Sequence, residues 1–225
     1  MVAATGNLDH QKILELLERE GWFEGADLEN PLSSPPAAPA APPAQHRVER
    51  DSTQAHIVVG SDTFGYRDPR RFALALVVNA FGGGMSSRLF QRIREELGLA
   101  YAVYAYQQLF QSAGIAGVYV GTQPGTADQA VEAIQREYQR LASESLPAGE
   151  LAEAKQQLKG QVMLSLESPI SRMNRLAGTE LHQDRYRTLD EVLAEIDAVS
   201  AEDVAALTST FFAPERQTVV RLGPM

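Results

Sequence analysis

Apolar residues recur along the chain in two periods, and the switches between them divide it into elements. Alternating or short apolar runs predict strands at residues 1–4, Ala55–Gly60 (AHIVVG), Ala100–Gln108 (AYAVYAYQQ), Ala113–Gly121 (AGIAGVYVG) and Arg216–Leu222 (RQTVVRL). Spacings of three and four predict helices between them. Asp9 caps one from His10 to about Glu20, with Ile13, Leu16 and Leu17 facing inward and Gly21 ending it. Asp68 and Pro69 open a second, which buries Phe72, Leu76, Val77 and Ala80. A short third helix buries Leu89, Phe90, Ile93 and Leu97. Ser86 or Ser87 caps it, and Gly98 stops it. Thr126 and Gln129 form a capping box for a helix whose core stripe is Val131, Ile134, Tyr138 and Leu141. Pro147 opens a long helix to about Leu166, with Leu151, Leu158 and Val162 in register. Three more follow: Ser168-Pro169 to about Leu181, Leu189–Ala198, and Ala201–Phe212 capped by Ser200. Strands and helices arrive in batches rather than in strict alternation. That order predicts an α+β fold, with helices packed on one face of a mainly antiparallel sheet.

One stretch breaks the pattern. Asn30–Gln45 (NPLSSPPAAPAAPPAQ) carries no core signal and reads as a semi-extended linker. It divides the chain into a strand–helix unit (residues 1–30), a Pro/Ala linker (31–47) and a main domain (48–225). The first unit has too little surface to fold alone. No internal repeat is evident.

Composition narrows the function classes. The 225 residues are 44% hydrophobic, enough for a core, and no run reaches the roughly 20 apolar residues of a membrane span. A net charge of −9 argues against general nucleic-acid binding. The local exception is residues 66–94, where Arg67, Arg70, Arg71, Arg88, Arg92 and Arg94 face one acid, Asp68. Arg94 apart, these read as two solvated helix faces. Cysteine is absent, which removes disulfides and thiolate metal sites. The N-terminus has no basic region or cleavage site of a signal peptide. Cytoplasm and periplasm both remain open.

The most informative stretch is Gly82 to Tyr101, GGGMSSRLFQRIREELGLAY. Three glycines bare the backbone for close approach to a ligand. Arg94 falls in the last turn of the short helix and Tyr101 opens the next strand, so both side chains can reach one space. This run closely resembles the second half of the pitrilysin/insulinase zinc metalloproteases, the inverzincins, including bacterial relatives of the mitochondrial processing peptidase. There an arginine and a tyrosine in the pattern R-x-x-x-x-x-x-Y face the zinc site across a closed chamber, and Arg94 and Tyr101 match that spacing.

The resemblance covers essentially the whole chain and carries several implications. The chain is expected to be the substrate-binding, non-metal half of a zinc endopeptidase acting on peptides or unfolded segments. Arg94 is expected to hold a substrate carbonyl and Tyr101 to stabilise the tetrahedral intermediate. Gly82, Gly83, Gly84 and Arg88 are expected to contact substrate. Residues 1–30 correspond to the close of the metal-bearing half, so the chain is expected to begin inside a domain. Zinc belongs to a partner half or subunit bearing H-x-x-E-H, in a homo- or heterodimer.

Other chemistries find less support. His10, His46, His56 and His182 never share a helical turn, and Glu180-x-His182 has the wrong spacing, so no zinc is expected in this chain. His182 reads as a helix-end residue. Ser86 and Ser87 lack the G-x-S-x-G setting, and the glycines do not form G-x-G-x-x-G. For Arg94 and Tyr101 themselves the plain alternative is an ion pair and sheet packing. Tyr104 and Tyr106 alternate to the other sheet face and read as packing residues. Two other function classes stand beside the peptidase half: a non-catalytic scaffold or assembly subunit of the same fold, and a peptide-binding module working alone.

Overall fold

The computed structural model describes residues 1–24, 42–182 and 184–224. Most of the expected linker therefore lies outside the described residues. The elements run α1 (His10–Arg19), β1 (Gln45–Glu49), β2 (Ala55–Thr63), α2 (Arg71–Gly82), a π-helix (Phe90–Glu96), β3 (Ala102–Leu109) and β4 (Gly114–Thr122). Then come α3 (Ala127–Glu144), α4 (Ala148–Ser165), α5 (Pro169–Leu181), α6 (Leu189–Ala198), α7 (Ala201–Phe211) and β5 (Thr218–Gly223).

The five strands form one sheet in the order β1-β5-β2-β4-β3. Only β1 and β5 pair in parallel; the other neighbours are antiparallel. Burial along β2 alternates without a break, so one face of the sheet meets the core and the other does not. Ile57, Val59, Val118, Val120 and Val219 supply the buried face. Against it lies α2, whose sequence RFALALVVNAFG is apolar almost all round and is buried from Ala73 to Gly82 except at Ala75. Phe81 at its end meets Tyr138 and Phe212 edge to face, with ring centroids 5.1 and 6.0 Å apart. Tyr138 is buried, yet its hydroxyl donates to the Val59 carbonyl at 3.0 Å, so its polar tip is satisfied. Among the described residues the opposite face of the sheet carries no helix layer, and it displays His56, Tyr104, Tyr106 and Tyr119. This is the expected α+β arrangement.

Several local expectations give way. Residues 1–4 form no strand, because no neighbouring strand among the described residues offers their backbone a ladder. Asp9 does cap α1 through the Lys12 amide, and Gly21 ends it at φ +73°. The inward stripe, however, is Ile13, Leu14 and Leu17, while Leu16 is exposed. These side chains and Met1–Ala4 line a shallow groove shared with Leu176 and Ala177 of α5. Just beyond α1, Trp22 stands 63% exposed. Strand β1 was not anticipated: QHRVE is polar and fully exposed, and pairing with β5 alone holds it. The Thr126–Gln129 capping box does not form, because the Thr126 hydroxyl turns back to the Gln123 carbonyl and to Thr122.

The arginine cluster is less solvated than expected. Arg71 is 12% exposed and donates to Asp184 at 2.8 Å and to the Tyr66 carbonyl. Asp184 also accepts from Arg187, which in turn bonds Glu195 of α6. Burial works to raise the Asp184 carboxyl pKa, but the Arg71 and Arg187 bonds outweigh it and hold the group below the ordinary range.

Candidate functional site

Gly82 ends α2 directly against β3. A Cβ there would lie 2.3 Å from the Ala105 nitrogen, so only glycine permits this helix–strand approach. A Cβ at Gly83 would meet the Asn79 side chain and carbonyl at 2.4 and 2.7 Å. Packing thus accounts for both residues. Gly84 is the least crowded of the three, with only the Gln157 amide at 3.3 Å.

The expected serine cap is absent as well. The Ser87 hydroxyl donates backward to the Gly84 carbonyl at 2.6 Å, and no side chain caps the helix that follows. Arg88 is committed inward. It forms two bonds to Glu150 of α4, at 2.7 and 2.6 Å, and a third to the Ser145 carbonyl at 3.0 Å. Ser145 sits at φ 61°, ψ −153°, backbone space that glycine favours, so Arg88 braces a strained corner between α3 and α4. Its Nε and Nη2 are both engaged in these bonds.

The short helix is π-wound over Phe90–Glu96. Its wider turn, closed by i→i+5 bonds, carries Leu97 past the buried stripe. Leu89 and Ile93 are buried as expected, whereas Leu97 is 40% exposed. Arg94 lies on the outer face with its side chain 46% exposed. Its guanidinium rests 4.9 Å above the Phe90 ring and meets Glu95 only at 3.8 Å. Most of its donors stay available.

The connection from Arg94 to Tyr101 is fixed at nearly every step. The Leu97 amide donates to Arg92 and the Leu99 amide to Ile93, at 3.2 and 2.9 Å. Gly98 turns the chain at φ +61°. The Leu99 carbonyl accepts from the hydroxyl of Thr122, a residue with no exposed surface, which also bonds Thr126 at 2.7 Å. The Tyr101 amide then donates to the Gly121 carbonyl, the same residue that stands in register with Ala102. Two residues facing one make a β-bulge, and a bulge breaks the strand's alternation. Strict alternation would send Tyr101 to the buried face with Val103; it is instead 66% exposed. Its hydroxyl has no hydrogen-bond partner among the described residues, and no bond or ring contact joins it to Arg94. The two are exposed donors at the ends of one pinned arc. Tyr104 and Tyr106 pack on the helix-free face, where Tyr104 meets Tyr119 at 5.1 Å.

Nothing nearby resembles a metal centre: among the described residues no three His, Cys, Asp or Glu side chains group to hold one. The His56 ring pairs with the Tyr119 hydroxyl at 2.8 Å, and His182 caps α5 and stacks on Tyr66. Sequence reading missed the Thr122 latch and the bulge. The only sequence trace of either is a threonine closing an otherwise apolar strand two residues before a proline.

The family model described as the peptidase M16 inactive domain matches residues 1–158. A Streptomyces coelicolor protein named as an uncharacterized zinc protease is 34% identical over the whole of this chain and 50% of its own length. The chain spans about half the length of the curated relatives it matches. In structure, a protease from Helicobacter pylori superposes with a TM-score of 0.82 at 19% identity, covering 98% of this chain and 54% of that one. A chain of Complex III2 from Candida albicans gives 0.80 at 21% identity, covering 97% and 53%.

Proposed function

The chain belongs to the M16 peptidase family as an inactive domain, and from that premise we propose that it is the substrate-binding half of a zinc endopeptidase. It completes the active site of a half bearing H-x-x-E-H, in one longer polypeptide or in a homo- or heterodimer. The substrate is a peptide or an unfolded segment. Arg94 receives a substrate backbone carbonyl, and Tyr101 donates to the oxyanion that forms when that peptide bond is attacked. The metal belongs to the other half, since the described residues of this chain offer it no ligand set. Gly83, exposed, and Gly84, half-buried, are the glycines available to approach a bound peptide.

One observation carries this reading. Arg94 and Tyr101 are exposed and largely unpartnered, yet the backbone between them is immobilised by Thr122 and the bulge. Residues serving only packing would not need donors left free on a fixed arc.

The test uses the two-half protein and an unstructured fluorogenic peptide. Tyr101→Phe is expected to lower kcat by roughly 10²–10³ with little change in KM, because an oxyanion donor acts in the transition state. Arg94→Ala is expected to raise KM as well. Both variants should melt like the parent, since neither side chain is buried. Unchanged turnover in Tyr101→Phe would overturn the assignment in favour of a non-catalytic scaffold.

A further inference from the structure

The helix layer does not close over the core everywhere. Ala75 alone interrupts the buried run of α2, and it lines a cleft of about 360 Å³ between α2, α4, α5, α6 and the far end of β3. Phe72, Leu109, Val162 and Val192 floor that cleft; each packs against the core yet stays only half-buried. Above this apolar floor the wall is cationic. Arg71, Arg175, Arg185 and Arg187 line it with a single carboxylate, Asp184. Asp184 is saturated, since it accepts from Arg71, from Arg187 and from the Arg185 amide. Glu191 and Glu195, outside the lining, pair with Arg185 and Arg187. Four guanidinium groups thus meet three carboxylates, which leaves one positive charge in excess within the cluster.

The spare donors belong to Arg71 and Arg175. Arg71 uses Nη1 alone, for Asp184 and the Tyr66 carbonyl, and Arg175 uses Nη2 alone, for the Arg187 carbonyl. Among the described residues the Nε and the other Nη of each carry no hydrogen bond, and none of these nitrogens is sealed from solvent. The Arg71 side chain is only 12% exposed, so its idle donors have lost most of their water without gaining a partner. Gln107 closes the β3 end of the cleft with an amide that makes no hydrogen bond, its Oε1 buried and unpartnered. We infer that this cleft binds a small monocarboxylate carrying one compact apolar group, aromatic or branched. The apolar group rests on the floor beside Ala75, and the carboxylate takes the idle donors of Arg71 and Arg175, a pairing that guanidinium groups make with two parallel bonds. Its volume is that of a small-ligand pocket, at the low end of about 300–1,000 Å³. The site is separate from the Arg94–Tyr101 arc: Gln107 lies six residues beyond Tyr101, about 20 Å at roughly 3.3 Å each. It therefore stands or falls independently of the peptidase reading. A free acid and the C-terminal residue of a peptide offer the same chemistry.

The experiment titrates the 225-residue chain with phenylacetate and follows NMR shifts of its methyl and amide groups. Saturable binding with a Kd of about 1 mM or tighter is expected, with shifts at Ala75, Val162 and the Gln107 side-chain amide. Phenylacetamide keeps the apolar group and loses the charge; acetate does the reverse. Each should bind at least about tenfold more weakly. Arg175→Gln should weaken phenylacetate binding about tenfold. Ala75→Leu fills the floor without touching a charged group; it should abolish binding while the chain melts no lower than the parent. Should Arg175→Gln fail to fold, Ala75→Leu and the amide still decide. A tetrapeptide ending in phenylalanine with a free carboxylate then separates the two sources. Affinity equal to or above that of phenylacetate assigns the cleft to a peptide terminus, and lower affinity assigns it to a free acid. Equal binding of phenylacetate and phenylacetamide, shifts confined to other elements, or Ala75→Leu binding like the parent overturns the inference. So does the lack of saturable binding at the expected strength.

Discussion

Thr122→Val tests the latch that holds the Arg94–Tyr101 arc. The substitution keeps the shape of a fully buried side chain and removes only its hydroxyl. Two bonds go with it, the donation to the Leu99 carbonyl and the link to Thr126. Thr126 retains its bond to the Gln123 carbonyl at 3.1 Å, so the main loss is one half-buried acceptor left without a donor. Such an orphan costs about 1–2 kcal/mol. At roughly 2–4 °C per kcal/mol for a chain of this size, Tm should fall by about 2–8 °C, followed by far-UV circular dichroism. In the two-half protein kcat should fall by about ten- to a hundredfold, the scale of a displacement near 1 Å at a positioned group. Thr122→Ser should restore both. A Thr122→Val chain that melts within about 1 °C of the parent, a shift too small for a lost buried bond, would refute the reasoning.

Other perturbations have equally definite outcomes. Gly82→Ala places a methyl against the backbone of Ala105, which cannot swing aside, and should cost about 1–3 kcal/mol in chemical denaturation. Ser145→Gly should do the reverse and stabilise by about 1 kcal/mol, because it relieves the strained corner and deletes a buried hydroxyl that has no partner. Asp184→Asn concerns pH. The folded pKa of Asp184 lies below the ordinary 3.8, so its contribution is complete above that value and is lost as pH falls through the lower folded one. The gap in urea midpoint between the parent and Asp184→Asn should therefore hold from neutrality to about pH 5 and close in stronger acid. A gap that persists unchanged in strong acid would mean that ionisation of Asp184 plays no part.

The legible parts of the chain were those in which one local signal settles the outcome. The stripe Val131–Ile134–Tyr138–Leu141 lies in the core, Ser200 caps α7, and Gly21 and Gly98 stop their helices at positive φ. The spacing of Arg94 and Tyr101 could be read too, because it depends on chain distance alone. What escaped depends on tertiary partners. β1 exists only through β5, and Arg88 is drawn inward by Glu150, 62 positions away. π-winding leaves the same apolar spacing as an α-helix until Leu97, the one residue that shows the difference. Thr126 fits a capping box equally well on paper, but Thr122 competes for its hydroxyl.

The exposed Trp22 has a spectroscopic consequence. It is the sole tryptophan of the chain, and it lies just beyond α1, outside the core. Indole emission excited at long wavelength therefore reports on the α1 region, whereas the buried Tyr138 and the tyrosines of the sheet report on the main domain. Two colours of intrinsic fluorescence divide the molecule along its own architecture, so docking of α1 can be followed while the sheet stays folded.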